Sequence, residues 1–342
     1  MTVWYKDAAA QDDIILSTRV RLARNLAALP FSGRMSEADE QKVTELVCHA
    51  VLDSGATIAN SFHYEAMNDI TDTRRLALIE ENLISPQMQY HMKHKGVLIG
   101  MDDTMSIMLN EEDHLRIQCI LGGYRLEEAY ENARRVDQVI QEQVTYAKNE
   151  TYGYLTKCPT NTGTGMRASV MLHLPALRMT DNIERMITTI NKLGFTVRGM
   201  YGEGSKAIGD LYQVSNQISL GVTEREIIDK LKNVVAAVIK REKEIREMLM
   251  QNNADELKDK LLRARGTLQY AHLLSSNELT QLVSLVRMGV SMGIITDIPC
   301  STLTALLIET KPANLMLLQK DADTSTNHRD ILRAEIVKKA IQ

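Results

Sequence analysis

A thiol, two glycines and an arginine occur close together between Cys158 and Val170. The segment reads CPTNTGTGMRASV, with Gly163, Gly165 and Arg167 within four positions of one another. Glycines let the backbone approach a ligand closely, and a guanidinium suits phosphate oxygens, so the segment is typical of a loop that wraps a polyphosphate. A thiolate would be stabilised beside a cation-binding site, although an isolated cysteine is more often a buried structural residue.

Two common nucleotide-binding patterns do not account for this loop. Gly163-x-Gly165-x-x-Ala168 has the form of a dinucleotide fingerprint, but no parallel βαβ unit with a downstream acidic residue surrounds it. The Gly-Lys-Ser/Thr ending of a Walker A loop is also missing. The loop must therefore be interpreted together with other parts of the chain.

A second candidate lies near the start of the chain, in Ser17-Thr18-Arg19-Val20-Arg21. In an extended segment, residues i and i+2 point to the same face, so Arg19 and Arg21 would present two guanidinium groups side by side. Planar guanidinium forks bind phosphate oxygens better than lysine does. A solvated strand face with paired arginines is the ordinary alternative.

A third candidate is the acidic run Asn110–Asp113, which Arg116 follows. A polar hairpin tip is the usual explanation of such a run. Apolar residues at 107–109 and at Ile117 frame this one and would hold it against a core. A partly buried carboxylate can orient a guanidinium and accept its proton while the nitrogen attacks phosphorus.

A fourth candidate is Arg198–Ser205, in which an arginine precedes a loop containing three glycines. Such a loop can close over a ligand, or it can be a plain surface connection. Together the four segments supply a carboxylate, two flexible loops and five arginines: Arg19, Arg21, Arg116, Arg167 and Arg198. Phosphoryl transfer requires this combination, because it depends on positioning and on cations around the transferred group.

The bulk composition favours a cytoplasmic protein. The 342 residues carry a net charge of −4, so no global field favours nucleic acid or an anionic membrane. The four cysteines are far apart and form no CxxC pair, which argues against a zinc site or a disulfide framework. The chain has no signal-like start and no apolar stretch of about 20 residues. We predict no nucleic-acid partner and no membrane partner.

The type of secondary structure changes at about residue 250. The predicted strands are 14–16, 97–100, 106–109, 115–119, 195–200 and 211–220, and the predicted helices before Thr223 are 36–52, 126–148 and 181–193. A capping box at Thr223 begins a charged helix to about Met250, and a second box is predicted at Ser275. Every strongly patterned segment after residue 250 is predicted to be helical. We predict an α+β domain at 1–250 and an all-helical domain at 251–342.

The four candidate segments resemble, in order and sense, the motifs of the phosphagen (guanidino) kinase catalytic domain. They read STRVRLARN, NEEDHLR, CPTNTGTGMRASV and RGMYGEGS, and the resemblance covers about residues 14–250. It implies an antiparallel sheet flanked by helices and an ATP- and Mg²⁺-dependent kinase. It also implies that Glu112 orients the substrate guanidinium and takes its proton, and that Cys158 lies beside it. Glu203, in the last motif, is a further candidate for contact with that guanidinium.

The resemblance also implies which residues would bind ATP. They are Ser17, Thr18, Arg19, Val20, Arg21, Asn82, Arg116, Arg167, Ala168, Ser169, Val170, Met171, Arg198, Gly199, Met200, Tyr201, Gly202 and Glu203. Asn82 departs from the family, which usually has a nucleotide-contacting histidine at that position. Because asparagine can still donate a hydrogen bond, we expect altered or weaker nucleotide contact rather than loss of activity.

The order of the domains resembles the bacterial protein-arginine kinases. Kinases of creatine or free arginine carry a helical domain ahead of the first arginine motif, which helps to select a small substrate. Here that motif begins at Ser17, and the extra helices follow the catalytic domain. We therefore expect a site open to an arginine carried on a protein.

The RDILRA segment near the end of the chain resembles the phosphoarginine-binding allosteric pocket of those kinases. Arg329 and Arg333 are four residues apart on one helix face, a spacing that an ordinary solvated ion-pair helix also produces. The resemblance implies that Arg329, Asp330, Arg333 and Ala334 bind phosphoarginine, which then stimulates the enzyme. It further implies degradation tagging for a Clp protease, control of a stress-response repressor, a possible activator protein and a homodimer.

Two alternatives stay open at this stage. A free-arginine kinase would phosphorylate arginine itself efficiently and ignore proteins. A non-catalytic phosphoarginine-binding module is conceivable because of Asn82, but Glu112 and the five arginines argue against it.

Overall fold

A computed structural model describes residues 3–7, 13–53, 61–199, 207–319 and 325–342. Its strands are β1 (Ile15–Arg24), β2 (Phe62–Ala66), β3 (Gly96–Gly100), β4 (Met105–Leu109), β5 (Leu115–Gly122), β6 (Lys148–Asn149), β7 (Gly153–Tyr154), β8 (Met166–His173), β9 (Phe195–Gly199) and β10 (Leu211–Asn216). Eight of these strands form one antiparallel sheet in the order β2-β3-β4-β5-β1-β8-β10-β9, and β6 and β7 form a separate hairpin.

Helices cover the sheet and then continue to the end of the chain. They are α1 (Glu37–Leu52), α2 (Asp72–Glu80), α3 (Leu126–Gln143), α4 (Pro175–Met179), α5 (Ile183–Lys192), α6 (Glu224–Asn252), α7 (Ala254–Tyr270), α8 (Ser276–Ser291), α9 (Cys300–Glu309), α10 (Pro312–Leu318) and α11 (Thr326–Ile341). The predicted α+β class, with an antiparallel sheet flanked by helices and a helical C-terminal part, is confirmed. Among the described residues, no helix is both long enough and apolar enough to cross a membrane.

β1 lies in the middle of the sheet, between β5 and β8. Every residue of β1 is buried except Arg19 and Arg21, which are partly exposed on the same face. The register places Arg21 opposite Arg167 of β8. Like charges directly opposite each other in a sheet are destabilising. An anion bound on this face would offset the repulsion between the two guanidinium groups.

Side-chain caps mark the starts of three helices, at the predicted cap Ser36 and at the predicted boxes Thr223 and Ser275. At Ser36 and at Thr223 the side chain accepts the backbone N–H of the third helical residue, and that residue's carboxylate accepts the N–H of the cap. At Ser275 the hydroxyl accepts the Glu278 N–H at 3.2 Å, but the reciprocal bond from the Ser275 N–H to the Glu278 carboxylate is not formed, so the predicted box is a single cap. Gly194, two residues after α5 ends, has φ 80°, the left-handed conformation that commonly follows a helix.

Two predicted elements extend too far. The helix predicted to run to Lys148 ends at Gln143, because Val144 is extended and Lys148–Asn149 pairs in a hairpin. The strand predicted to run to Leu220 ends at Asn216. The Asn216 side chain donates to the carbonyls of Met166 and Ile218 and accepts the N–H of Ala168, and these bonds end the ladder.

The helices after Asn252 pack on the sheet region as well as on one another. Leu257, Leu261 and Met288 belong to the main core, and a second core joins α7, α8, α9 and α11. The buried Ser284 hydroxyl of α8 donates to Asp210 at 2.6 Å and lies 2.8 Å from His173 Nε2. α6 ends close to residue 250, where the boundary between two domains is predicted. The division into two domains stays a prediction.

Candidate functional site

Two adjoining clefts on the sheet share the guanidinium groups of Arg21 and Arg116. The small cleft, of about 290 Å³, is lined by Arg21, Ala23, Glu112, Arg116, Cys158, Thr160, Asn161, Gly165, Arg167 and Arg198. The large cleft, of about 720 Å³, contains Arg19 and Asn82 as well. Its volume is in the range of small-molecule and cofactor sites. The five predicted arginines thus lie around one continuous space.

The acidic run forms the turn between β4 and β5. Asn110 adopts the left-handed conformation with φ 57°, which asparagine tolerates better than most residues, and its N–H bonds the His114 carbonyl at 2.9 Å. Arg116 then contacts both glutamates, Glu111 at 2.6 Å and Glu112 at 3.0 Å. The Glu111 side chain is only 4% exposed, whereas that of Glu112 is 36% exposed. Glu112 is therefore the carboxylate that faces the small cleft.

The guanidinium groups of Arg19 and Arg21 are buried close to other positive charges. Burial, with Arg116 nearby, lowers the pKa of Arg19 to about 10. Burial also lowers the pKa of Arg21 well below its usual value, and the positive charges of Arg19, Arg116 and Arg167 add to this effect. Within the described structure, the Nε atoms of Arg19 and Arg21 are buried without a hydrogen-bond partner. A polyanion bound in the cleft would accept hydrogen bonds from these atoms and favour their charged form.

Arg167 connects the cation cluster to the reactive side of the small cleft. Its pKa is lowered by burial and by Arg198 and Arg116, whereas Cys158 and Glu112 favour its charged form. The site therefore has a cationic side, suited to phosphate, and an acceptor side at Glu112 and Cys158, suited to a guanidinium.

Asp113 fixes the distance between the two parts of that acceptor side. Its buried carboxylate accepts the N–H of Lys157, the residue before Cys158, at 2.8 Å. It also accepts the Asn25 amide at 2.7 Å. One side chain thus ties the Glu112 turn to the cysteine segment. Sequence reasoning missed Asp113 and Asn25, although both lie inside the quoted motifs.

Arg24 supports the glycine loop from behind. Its guanidinium pairs with buried Asp137 at 2.8 Å, donates to the Thr164 carbonyl at 3.1 Å and stacks 3.6 Å from the Tyr154 ring centre. A Cβ on Gly165 would lie 2.5 Å from Arg24 Nη1, so the loop requires glycine there. This residue was also missed, because its role depends on partners far away in the sequence.

Several residues predicted to bind ATP have side chains outside the two clefts. Val20, Ala168 and Val170 are in the main core. The buried Thr18 hydroxyl donates to the Gly123 carbonyl at 2.7 Å. Ser17, Ser169 and Met171 line a separate pocket of about 30 Å³ with Arg19 and Asn82.

Asn82 faces the large cleft at the end of α2. It has φ 64°, and its carbonyl accepts the Gln118 amide at 2.7 Å. Its side-chain amide lies 3.5 Å from the Glu80 carbonyl. The departure from the family's histidine is therefore at a position that borders the cleft.

Arg198 is exposed in β9 and borders the small cleft. Gly199 follows, and a Cβ there would lie 2.9 Å from the Ala207 Cα. Met200, Tyr201, Gly202 and Glu203, which sequence reasoning placed at the site, lie outside the described residues.

The RDILRA segment lies in α11, and its residues are absent from the lining of both clefts. Arg333 is 1% exposed and donates to the carbonyls of Leu274 (2.7 Å) and Thr310 (3.0 Å), and it also pairs with Asp330. Ala334 is in the second core. Arg329 is partly exposed and bonds Thr326 at 3.3 Å. The structure therefore brings Arg329 and Asp330 nearer to solvent than Arg333.

Lys311 borders the large cleft, and its burial should make the free energy of unfolding depend on pH. Burial lowers the pKa of Lys311 to about 8, although Glu80 and Glu81 favour its charged form. In the unfolded chain a lysine has a pKa of ~10.4. Between the folded and the unfolded pKa of Lys311, the unfolded chain therefore binds more protons than the folded chain. The free energy of unfolding rises with pH over that range. Relative to Lys311→Met, the wild type should gain up to about 3 kcal/mol of unfolding free energy between pH 7 and 10.5. Urea unfolding measures this difference, and a pH-independent difference would contradict it.

Comparisons with known proteins agree with the geometry. The model "ATP:guanido phosphotransferase, C-terminal catalytic domain" matches residues 42–245, and "Protein-arginine kinase McsB C-terminal domain" matches residues 254–342. A protein-arginine kinase of Halothermothrix orenii is 43% identical over 98% of this chain and 95% of the relative. One of Desulforamulus reducens is 43% identical over 99% of this chain and 95% of the relative. A crystal structure of lombricine kinase matches with a TM-score of 0.61 and 26% identity over 70% of each chain.

Proposed function

The chain belongs to the ATP:guanido phosphotransferase family, and from that premise we propose that it is a kinase of arginine side chains in proteins. The observation that carries this proposal is the pair of clefts joined at Arg21 and Arg116. One cleft can hold a nucleotide with its phosphates among arginines. The other offers a carboxylate and a thiol to a guanidinium.

The site residues divide the work of the transfer between them. Arg19, Arg21 and Arg116 hold the phosphates of ATP, and Arg116 and Arg167 face the transferred group. Glu112 aligns the substrate guanidinium and accepts a proton from the attacking nitrogen. A bond forms between that nitrogen and the γ-phosphorus, the bond from the γ-phosphorus to the bridging oxygen breaks, and ADP leaves with the electron pair. Fixed cations suit this reaction because charge shifts onto the phosphate oxygens.

We place Mg²⁺ with the nucleotide, as part of the MgATP substrate. Among the described residues, no group of three or more histidine, cysteine, aspartate or glutamate side chains is arranged to hold a metal ion. Mg²⁺ usually takes most of its ligands from water and substrate phosphates, which fits this set of residues.

The preference for a protein acceptor rests on the relatives and on the small cleft. The relatives named protein-arginine kinases match nearly the full length of this chain, including the helical C-terminal part. The small cleft is bordered by exposed Thr160 and Arg198. Such an opening can admit an arginine that projects from a polypeptide.

Labelled ATP and matched acceptors test the proposal. An arginine-rich protein should acquire acid-labile label, the same protein with lysine in place of arginine should not, and free arginine should be a poor acceptor. Faster labelling of free arginine than of the protein would instead favour a free-arginine kinase. Failure to label either acceptor, with retained binding of phosphoarginine, would favour a non-catalytic binding module.

The regulation and the partners are also part of the proposal. Phosphoarginine is proposed to bind near Arg329 and Asp330 and to stimulate transfer, so the stimulated-to-basal ratio should fall in Arg329→Ala. We further propose a cytoplasmic homodimer that tags proteins for a Clp protease, controls a stress-response repressor and responds to an activator protein. These roles follow from the family resemblance.

A further inference from the structure

Helices from the C-terminal part of the chain form one wall of the large cleft. Residues of the first turns of α8, Ser276 and Thr280 among them, line it together with Arg19. The junction between α9 and α10, from Thr310 to Pro312, also lines it. We call these two segments the helical wall.

A single guanidinium joins both segments of the helical wall from behind. Arg333 Nη1 donates to the Leu274 carbonyl at 2.7 Å, and Arg333 Nε donates to the Thr310 carbonyl at 3.0 Å. Leu274 directly precedes the cap of α8, and Thr310 directly follows α9. The Asp330 carbonyl accepts the Leu274 N–H at 3.1 Å, so α11 holds this residue through both of its backbone groups.

The helical wall is also bonded to the end of α2, which lines the large cleft as well. The Glu80 carboxylate accepts the N–H groups of Ala313 and Asn314, at 3.1 and 3.0 Å. The Glu80 carbonyl accepts the Lys311 ammonium at 2.8 Å. Because Glu80 ends α2 two residues before Asn82, displacement of the wall would be felt at the nucleotide side of the site.

We propose that the helical wall is part of the nucleotide site and that Arg333 is its positioning residue. The inference rests on the proposed function in taking ATP as the ligand of the large cleft. Loss of Arg333 leaves two buried carbonyls without their donor, and the wall loosens. Glu112 and the arginines around the transferred phosphoryl group keep their places. The change should therefore raise the KM for ATP and leave kcat at saturating ATP nearly unaltered.

Arg333→Met, Arg333→Lys and the exposed control Lys339→Met test this role. Calorimetry with ATP and steady-state kinetics should show a roughly 10-fold weaker Kd and higher KM for ATP in Arg333→Met, which corresponds to the loss of one or two hydrogen bonds. Arg333→Lys should recover part of the affinity, because an ammonium can still donate to a carbonyl. Lys339→Met should match the wild type.

Two results would overturn the inference: unchanged ATP affinity in a folded Arg333 variant, or a fall in kcat at constant KM. If Arg333→Met does not fold, Arg333→Lys decides by the same criteria, with circular dichroism as the check on folding. Calorimetry measures ATP binding without any phosphoryl transfer, so its result does not depend on whether the proposed kinase activity is correct. A chain that loses ATP affinity in the Arg333 variants but phosphorylates no arginine would refute the kinase proposal and support the helical wall.

Discussion

Glu112→Gln should lower kcat for arginine phosphorylation by about 10²- to 10⁴-fold, because glutamine can still accept a hydrogen bond but cannot take the proton. The substitution preserves size and removes one charge. Glu112 borders the small cleft and is absent from the lining of the large one, so ATP binding should persist. Labelled-ATP kinetics and calorimetry measure the two quantities independently.

The matched control for this prediction is Glu247→Gln, an equivalent change at an exposed position of α6. It should transfer phosphoryl groups at the wild-type rate. Near-normal transfer by Glu112→Gln would show that Glu112 is not the base and that another group accepts the proton. A loss of ATP binding equal to the loss of transfer would instead show that Glu112 organises the cleft through Arg116.

Arg116→Met should reduce kcat on the order of 10³-fold, because Arg116 is one of the two cations shared by both clefts. The same change should cost about 3–5 kcal/mol of unfolding free energy, since it strands a buried charge. That charge belongs to Glu111, whose side chain is 4% exposed and lies 2.6 Å from Arg116. Urea unfolding and transfer kinetics report on the two effects.

A double variant separates the two effects of this substitution. Arg116→Met combined with Glu111→Gln no longer buries an unpaired charge, so much of the lost unfolding free energy should return. Its kcat should stay low, because the cation at the phosphates is still missing. Recovery of transfer along with stability would mean that Arg116 acts only as a structural partner of Glu111.

Local sequence was sufficient for the features that depend on near neighbours. The period of two in a strand correctly predicted that Arg19 and Arg21 share one face of β1. The helix start predicted at Ser36 and the box predicted at Thr223 are both confirmed, because each cap bonds a residue only three positions away. The predictions were wrong at the ends of α3 and β10. Those ends depend on distant contacts, such as the bond from the Ala168 N–H to the Asn216 side chain.

The supports of the site could not be identified in the same way. Asp113 and Asn25 look like ordinary polar residues in a motif, and only the fold brings them within 2.7 Å of each other. Arg24 is the third arginine of its motif, yet it lines neither cleft, and its guanidinium holds Asp137 and Thr164 instead. A buried polar group must find partners, and the chain alone does not identify them.

The amino-acid sequence by itself determined the family, the candidate residues for phosphoryl transfer and the general class of fold. It did so through four motifs that together resemble those of the guanidino kinases, in the same order along the chain. The resemblance already selected Glu112, but only the tertiary structure gives the physical reason, since burial separates the two adjacent carboxylates and leaves Glu112 on the small cleft. The tertiary structure also decided that helices from the far end of the chain line the large cleft, with Arg333 buried behind them. Both outcomes arise from long-range packing, which no local pattern encodes.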